Sequence, residues 1–267
     1  MLRKILIANR GEIAVRIIRA CKEMGIETVA IFSTADHRGL HVDLADEAIC
    51  VGSARVQDSY LNMNNILSAA VATGCDAIHP GFGFLSENST FAALTEELGL
   101  KFIGPKGTVI DHMGNKSKAR EMMIEAGIPV VPGSDGLVQT IKQGKEIASQ
   151  IGYPVLVKAS AGGGGRGMRI IRNQEEFADL FQTAKLEAKM AFGDDSMYLE
   201  KFIENPRHIE FQILADQFGN VIHLFDRDCS VQRRNQKVIE EAPSPVLDAK
   251  TRDKMGEIAV RAAKTVG

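Results

Sequence analysis

The 267-residue chain carries 34 acidic and 32 basic side chains, a formal net charge of −2, which disfavours a nucleic-acid binder driven by phosphate contacts. With 45% hydrophobic and 25% charged residues it reads as an ordinary soluble globular chain, long enough for one or two domains with a real core. Its four cysteines, Cys21, Cys50, Cys75 and Cys229, form no CxxC pair, which excludes zinc-ribbon and thioredoxin-like motifs and points to a reducing, cytoplasmic setting.

The chain opens MLRKILIANRGEIAVRIIR. Charged residues interrupt the apolar run early, so no signal-peptide core is expected, and no stretch approaches the ~20 apolar residues of a membrane span. KILIA predicts a buried strand and a helix follows over about 13–24, with Gly25 at its stop. ETVAIFS predicts the second strand and AICV lies in a third. YLNMNNILSAAVATG has a helical period ending at Gly74. DAIHP predicts a strand end, GFGFLSEN a loop, STFAALTEELG a helix and KFIG a strand stopped by Pro105. Such alternation predicts a parallel sheet covered on both faces.

One helix is expected over 111–127, then a PVVPG linker. A new unit begins near residue 132: helix (VQTIKQGKEIASQIG), strand (PVLVKAS), glycine-rich loop, strand (MRIIR), helix (QEEFADLFQTAKLEAKMAFG) and strand (MYLEKFI). The hairpin-like loop predicts an antiparallel sheet. Beyond Pro206, HIEFQILAD and NVIHLFDRD predict two strands around a turn at Gln217–Asn220, and a helix runs over about 249–266. Two strands and a helix cannot close a core, so a third domain cut in its middle is expected. No internal repeat or low-complexity tract interrupts this order.

The strongest local chemical signal is Lys158 followed by Gly162, Gly163, Gly164, Gly165 and Gly167. Consecutive glycines let backbone N–H groups surround phosphate oxygens, and Lys158 can add a point charge. The loop joins strand to strand and lacks GxxxxGK[ST], so it is neither a P-loop nor a dinucleotide fingerprint. A flexible hairpin loop is the other reading of the glycines alone.

Five segments, KILIANRGEIAVRIIRA, HPGFGFLSEN, VKASAGGGGRGMR, EKFIENPRHIE and DCSVQRRNQKVIEEAPSP, together resemble the biotin carboxylase family, in order and over essentially the whole chain. The resemblance implies an α/β ATP-grasp fold. Its parts would be a Rossmann-like N-terminal domain (1–113), a linker helix (114–131), an α+β lid (132–203) and the start of a truncated third domain (204–267), with ATP held between lid and third domain.

The resemblance further implies that Lys116 and Lys158 contact the ATP phosphates and that Gly162 to Gly165 form the lid tip. A glycine flap of this kind can exclude water before phosphoryl transfer. Glu200, Lys201 and Ile203 would meet the adenine and Met168 would pack on it, although an edge strand and a core methionine are the plainer readings. His208 would lie by the ribose and phosphates, Gln232 and position 235 by the nucleotide, and Lys237 would bind bicarbonate.

From residues alone, Arg227–Lys237 is a basic loop: solvated, RNA-contacting or anion-binding. Asn235 replaces a histidine found in many members, which puts any charged-imidazole role there in doubt. Gly83 would contact biotin through its backbone. Phe82, beside it, keeps the ring of a family tyrosine without the hydroxyl. Glu87 is placed near the site by inheritance alone.

The implied reaction joins bicarbonate to the γ-phosphate of ATP. The resulting carboxyphosphate releases CO2, which carboxylates the ureido nitrogen of biotin. The cofactor would be Mg2+ or Mn2+. The implied partners are a biotin carboxyl carrier protein, a carboxyltransferase subunit and a second copy, with Arg16, Arg19 and Glu23 on the dimer surface. No nucleic acid or membrane is implied. Acetyl-CoA, propionyl-CoA and pyruvate carboxylases share the module. The family's metal-binding glutamates and catalytic Asn and Arg are expected beyond Gly267, so this chain alone is expected to turn over little. Three other readings stand beside this one: another ATP-grasp ligase; an NAD-dependent dehydrogenase with Asp36 as ribose acid but only Gly11 in its first loop; and a non-catalytic nucleotide-binding module.

Overall fold

A computed structural model describes residues 2–114, 116–160, 167–233 and 236–267, without the side chains of residues 116 and 117. The chain divides into two compact units, residues 1–119 and 120–267.

The first unit is doubly wound. Strands β1 (Lys4–Ile7), β2 (Glu27–Ser33), β3 (Glu47–Gly52), β4 (Ala77–His79) and β5 (Lys101–Phe102) form one parallel sheet in the order β3-β2-β1-β4-β5. Helices α1 (Gly11–Glu23), α2 (Leu40–Leu44), α3 (Met63–Ala72), α4 (Ser89–Glu97) and α5 (Gly107–Gly114) make the connections. The period-2 alternation of β1 explains the two cores. Ile5 and Ile7 pack with Ala14 and Ile18 of α1, whereas Leu6 and Ala8 pack with Ile66, Ala70 and Phe91 of α3 and α4.

The helix expected over 111–127 falls on α5, which runs to Gly114, and α6 (Lys116–Glu125), with residue 115 outside the described residues.

The second unit holds two antiparallel sheets. In one, β7 (Met168–Ile171), β6 (Val155–Ala159) and β8 (Met197–Lys201) are ordered β7-β6-β8 and backed by α7 (Ile141–Ile151) and α8 (Phe177–Phe192). In the other, β9 (Ile209–Ala215), β10 (Val221–Arg233) and β11 (Gln236–Glu241) are ordered β11-β10-β9, with α9 (Ala249–Val266) against β10. The expectation of two strands here was one short, and most of the basic loop expected over 227–237 is strand. QKVIEE gave no core signal because all six of its residues are exposed. None of the described helices is long and apolar enough to cross a membrane.

Candidate functional site

Chemically loaded residues gather in three places. The first lies at the carboxyl ends of β1 and β4, where the winding of the sheet reverses and open α/β sheets place ligands. Asn9, just past β1, donates from Nδ2 to the carbonyls of Pro80 (2.7 Å) and Phe82 (2.9 Å), fixing the loop after β4. A Cβ on Gly81, at φ +64°, would come within 2.7 Å of that Asn9 nitrogen, so only glycine fits. Gly83 (φ +72°) opens on free space, beside Phe82 at 67% exposure. The backbone of Gly83 and the ring of Phe82 are thus offered to solvent. Glu87 is exposed.

Asp36 accepts from Ser33 Oγ and Tyr60 Oη, both at 2.7 Å, and from Arg10 at 3.2 Å. Burial opposes its ionisation, but these donors outweigh it and hold the carboxyl below its usual range. Burial, with Asp36 beside it, pushes the Tyr60 phenol up to about 12. Asp36 Oδ2 is thus taken up by the fold's own donors and Oδ1 faces Arg10 at 3.3 Å, which weakens the support for a dehydrogenase reading. Arg10 lies over the rings of Tyr60 and Phe84, themselves stacked at 5.1 Å.

The second place is one face of the β7-β6-β8 sheet. Strands β6 and β8 alternate strictly. Val155, Val157, Ala159, Met197 and Leu199 face the helices, so Leu156, Lys158, Tyr198 and Glu200 face the other way. Lys158 stands opposite Met168 and Tyr198, and Leu156 opposite Glu200. Three expected site residues, Lys158, Met168 and Glu200, therefore share one open face. Lys158 Nζ is ion-paired with Glu200 Oε2 and lies 5.9 Å from the centre of the Tyr198 ring. Burial raises the Tyr198 phenol, with the Lys158 charge acting against it. Tyr198 was not anticipated, although the alternation of MYLEK puts it on the same face as Glu200.

Lys201 does not join them. Its ammonium donates to the carbonyls of Gly152 and Tyr153, both at 2.9 Å, at the end of α7. Nor is β8 an open edge. Lys201 N donates to Pro132 O (2.7 Å), Ser134 N to Leu199 O (2.8 Å) and Leu199 N to Ser134 Oγ (3.1 Å), so the segment read as a linker occupies that side. Ile203, just past the strand, is 50% exposed, and among the described residues none engages its backbone groups. Gly162 to Gly165 lie outside the described residues, as does the side chain of Lys116, which begins α6.

The third place is the β9–β10–β11 sheet. Glu210 on β9 stands opposite Arg227 on β10. Glu210 Oε1 accepts from Arg227 Nε at 2.7 Å, and its Oε2 takes Lys237 of β11. His208 Nε2 approaches Glu210 Oε2 at 3.9 Å, and Gln232 Nε2 lies 2.8 Å from His208 Nδ1. His208 and Lys237, expected from two separate stretches, thus meet at Glu210, with Gln232 on His208; Glu210 is a residue that sequence reasoning passed over. Burial works against the Glu210 carboxylate, but hydrogen bonds from Lys237 and Arg227 hold its pKa below the ordinary 4.5. That same bond to Glu210 raises the Lys237 ammonium above 10.5. Asn235 lies outside the described residues.

Glu210, Cys229 and Glu240 bring ligand atoms within 4.8 Å of one another, the only such group among the described residues. They do not fit Mg2+ or Mn2+. Hard cations of this kind take oxygen donors, Cys229 is a buried thiol whose pKa burial raises, and Glu210 is committed to two cations.

Comparison with known proteins places this geometry. A family model described as "Biotin carboxylase, N-terminal domain" matches residues 1–110, and one described as "Carbamoyl-phosphate synthase L chain, ATP binding domain" matches residues 115–267. The chain is 60% identical over 263 residues to a biotin carboxylase of Nostoc sp., covering 98% of this chain and 59% of the relative. It superposes with TM-score 0.87 and 50% identity on a Campylobacter jejuni biotin carboxylase solved as a β-γ-ATP complex, covering 100% of this chain and 60% of that one. It superposes with TM-score 0.84 and 55% identity on the biotin carboxylase domain dimer of Hydrogenobacter thermophilus 2-oxoglutarate carboxylase, solved with MgADP, ADP and bicarbonate, covering 100% and 59%. The chain thus spans about half to three-fifths of the length of the curated relatives it matches.

Proposed function

The chain belongs to the biotin carboxylase family of ATP-grasp proteins, and from that premise we propose that it supplies the nucleotide-binding lid and biotin-facing domain of an enzyme that carboxylates biotin with ATP and bicarbonate. The observation that carries this reading is the open face of the β7-β6-β8 sheet, where a lysine, a methionine and a carboxylate stand side by side. A cation for phosphate, a polarisable side chain for a ring and an acceptor for an amine are the chemistry an adenine nucleotide needs. The 54–60% identity to proteins named biotin carboxylase favours biotin over the acceptor of a carbamoyl-phosphate synthase.

In this proposal Lys158 and Lys116 neutralise the phosphates, Gly162 to Gly165 fold over them, and Met168 packs on the adenine. Glu200 accepts from the 6-amino group. Ile203 offers the free backbone groups past β8. Lys201 enters only through its carbonyl, since its N–H and ammonium are engaged. His208, Gln232 and Asn235 lie along the nucleotide, Lys237 holds bicarbonate, and Phe82 with Gly83 meets biotin. The working divisions are 1–113, 114–131, 132–203 and 204–267. The partners are a biotin carboxyl carrier protein, a carboxyltransferase and a second copy meeting the exposed Arg16, Arg19 and Glu23 of α1. For these 267 residues alone we propose nucleotide binding without sustained turnover.

Calorimetric titration with ATP tests the reading. The wild-type chain is expected to bind, and Lys158→Met to lose about tenfold or more in affinity, the scale of one charge-assisted contact. Failure of the wild type to bind ATP overturns the proposal. Steady ATP-dependent fixation of labelled bicarbonate into free biotin by the 267-residue chain would instead overturn only the division between binding and turnover.

A further inference from the structure

The Lys158–Glu200 ion pair has a consequence for nucleotide choice. Lys158 is on β6 and Glu200 on β8, diagonal neighbours on the same open face. Each is about a quarter exposed, and the two are directly paired. Among the described residues, Glu200 has no other side-chain partner and Lys158 no other anion. The neighbouring carboxylates are committed elsewhere: Glu187 to Arg169 on the helix side of the sheet, and Glu204 to Arg172. An ammonium held by a carboxylate is a poorer ligand for a phosphate, because the anion must compete for the same charge.

We propose that this pair is a latch that makes the phosphate-binding charge of Lys158 depend on the base that reaches Glu200. The inference rests on the nucleotide reading above. A 6-aminopurine carries an N–H donor that can replace the ammonium at Glu200, so adenine satisfies the carboxylate and frees Lys158 for the phosphates. A 6-oxopurine presents a carbonyl acceptor there. Two acceptors repel, Glu200 keeps Lys158, and the phosphates lose a cation. Discrimination against the 6-oxo base is thereby felt at both ends of the nucleotide, where a base pocket alone would act at one. The Tyr198 ring beneath the ammonium keeps Lys158 on this face whether or not Glu200 holds it.

The experiment uses the 267-residue chain and three probes: ATP, inosine triphosphate and inorganic tripolyphosphate, which has charge but no base. Tripolyphosphate affinity is expected to rise about threefold or more in Glu200→Gln, because the latch is gone, and the rise is expected to vanish in the double variant Lys158→Met/Glu200→Gln. The preference for ATP over inosine triphosphate is expected to fall by about tenfold in Glu200→Gln. Glu204→Gln, which removes a charge that does not touch Lys158, is expected to leave all three affinities unchanged.

Unchanged tripolyphosphate affinity in Glu200→Gln overturns the latch. So does a gain that persists without Lys158, which would be a general field effect of one fewer negative charge. If Lys158→Met alone leaves ATP and tripolyphosphate binding intact, the assignment of Lys158 to phosphate fails, and the latch with it. Normal loss in Lys158→Met without a gain in Glu200→Gln defeats the latch while the nucleotide reading stands.

Discussion

Lys158 and Lys237 are each held by a glutamate on another strand, and the four side chains are similarly exposed, 25% and 27% in one pair and 36% and 25% in the other. Their surroundings differ. Glu210 grips Arg227 as well as Lys237, His208 approaches the same oxygen, and Glu240 stands 3.7 Å from Arg227. Glu200 has Lys158 alone among the described residues. Exposure therefore does not separate the two glutamates; the number of partners does. A carboxylate shared by several cations braces a sheet, because removing it strands more than one charge. A carboxylate paired with one cation can exchange that partner for a ligand donor at little structural cost.

The upper limit of bracing is the Asp226–Arg252 pair, whose carboxylate is fully buried and also accepts from Ser244 N at 2.7 Å. Arg252→Ala leaves that carboxylate uncompensated and is expected to cost about 3 kcal/mol in urea unfolding. A loss below about 1 kcal/mol would mean that enclosure does not rank these pairs. Next comes Glu210→Gln, expected to cost about 1–2 kcal/mol, less than a fully buried pair because solvent screens a partly exposed one.

The Glu210 effect has a pH signature. Its folded pKa lies below the ordinary 4.5, so its stabilisation is complete above that value and is lost as pH falls through the folded pKa. The difference in stability between wild type and Glu210→Gln should accordingly be constant near neutrality and shrink below pH 4.5. A difference that grows in acid would contradict the assignment.

The same contrast marks what the sequence made legible. The parallel sheet was readable because its central strands are buried apolar runs; ETVAIFS is β2 residue for residue. The shared face of Lys158 and Glu200 was also encoded, in the alternation of VLVKA and MYLEK, and the same alternation puts Tyr198 on Glu200's face. The third sheet was illegible for a physical reason. Every residue of β11 is exposed and four of its six are polar or charged, so neither burial nor period marked it as a strand. Glu210 was passed over because a glutamate in HIEFQILAD looks like a solvent-facing strand position. Only its register opposite Arg227 reveals it as the hub, and register is a property of pairing that a single strand does not carry.

The smallest expected effect decides whether the comparison holds. Glu200→Gln removes a one-to-one pair on an open face, and both groups can turn to water. The expected loss in urea unfolding is under about 0.5 kcal/mol, within the range of exposed ion pairs, and the double variant with Lys158→Met should show a coupling of the same small size. The contrast requires this: a pair that costs little to break can yield to a nucleotide, whereas a brace must be rebuilt for every ligand that enters. If Glu200→Gln destabilised the chain as much as Glu210→Gln, Lys158 and Glu200 would be holding β6 to β8, and the distinction between a braced lysine and an exchangeable one would disappear.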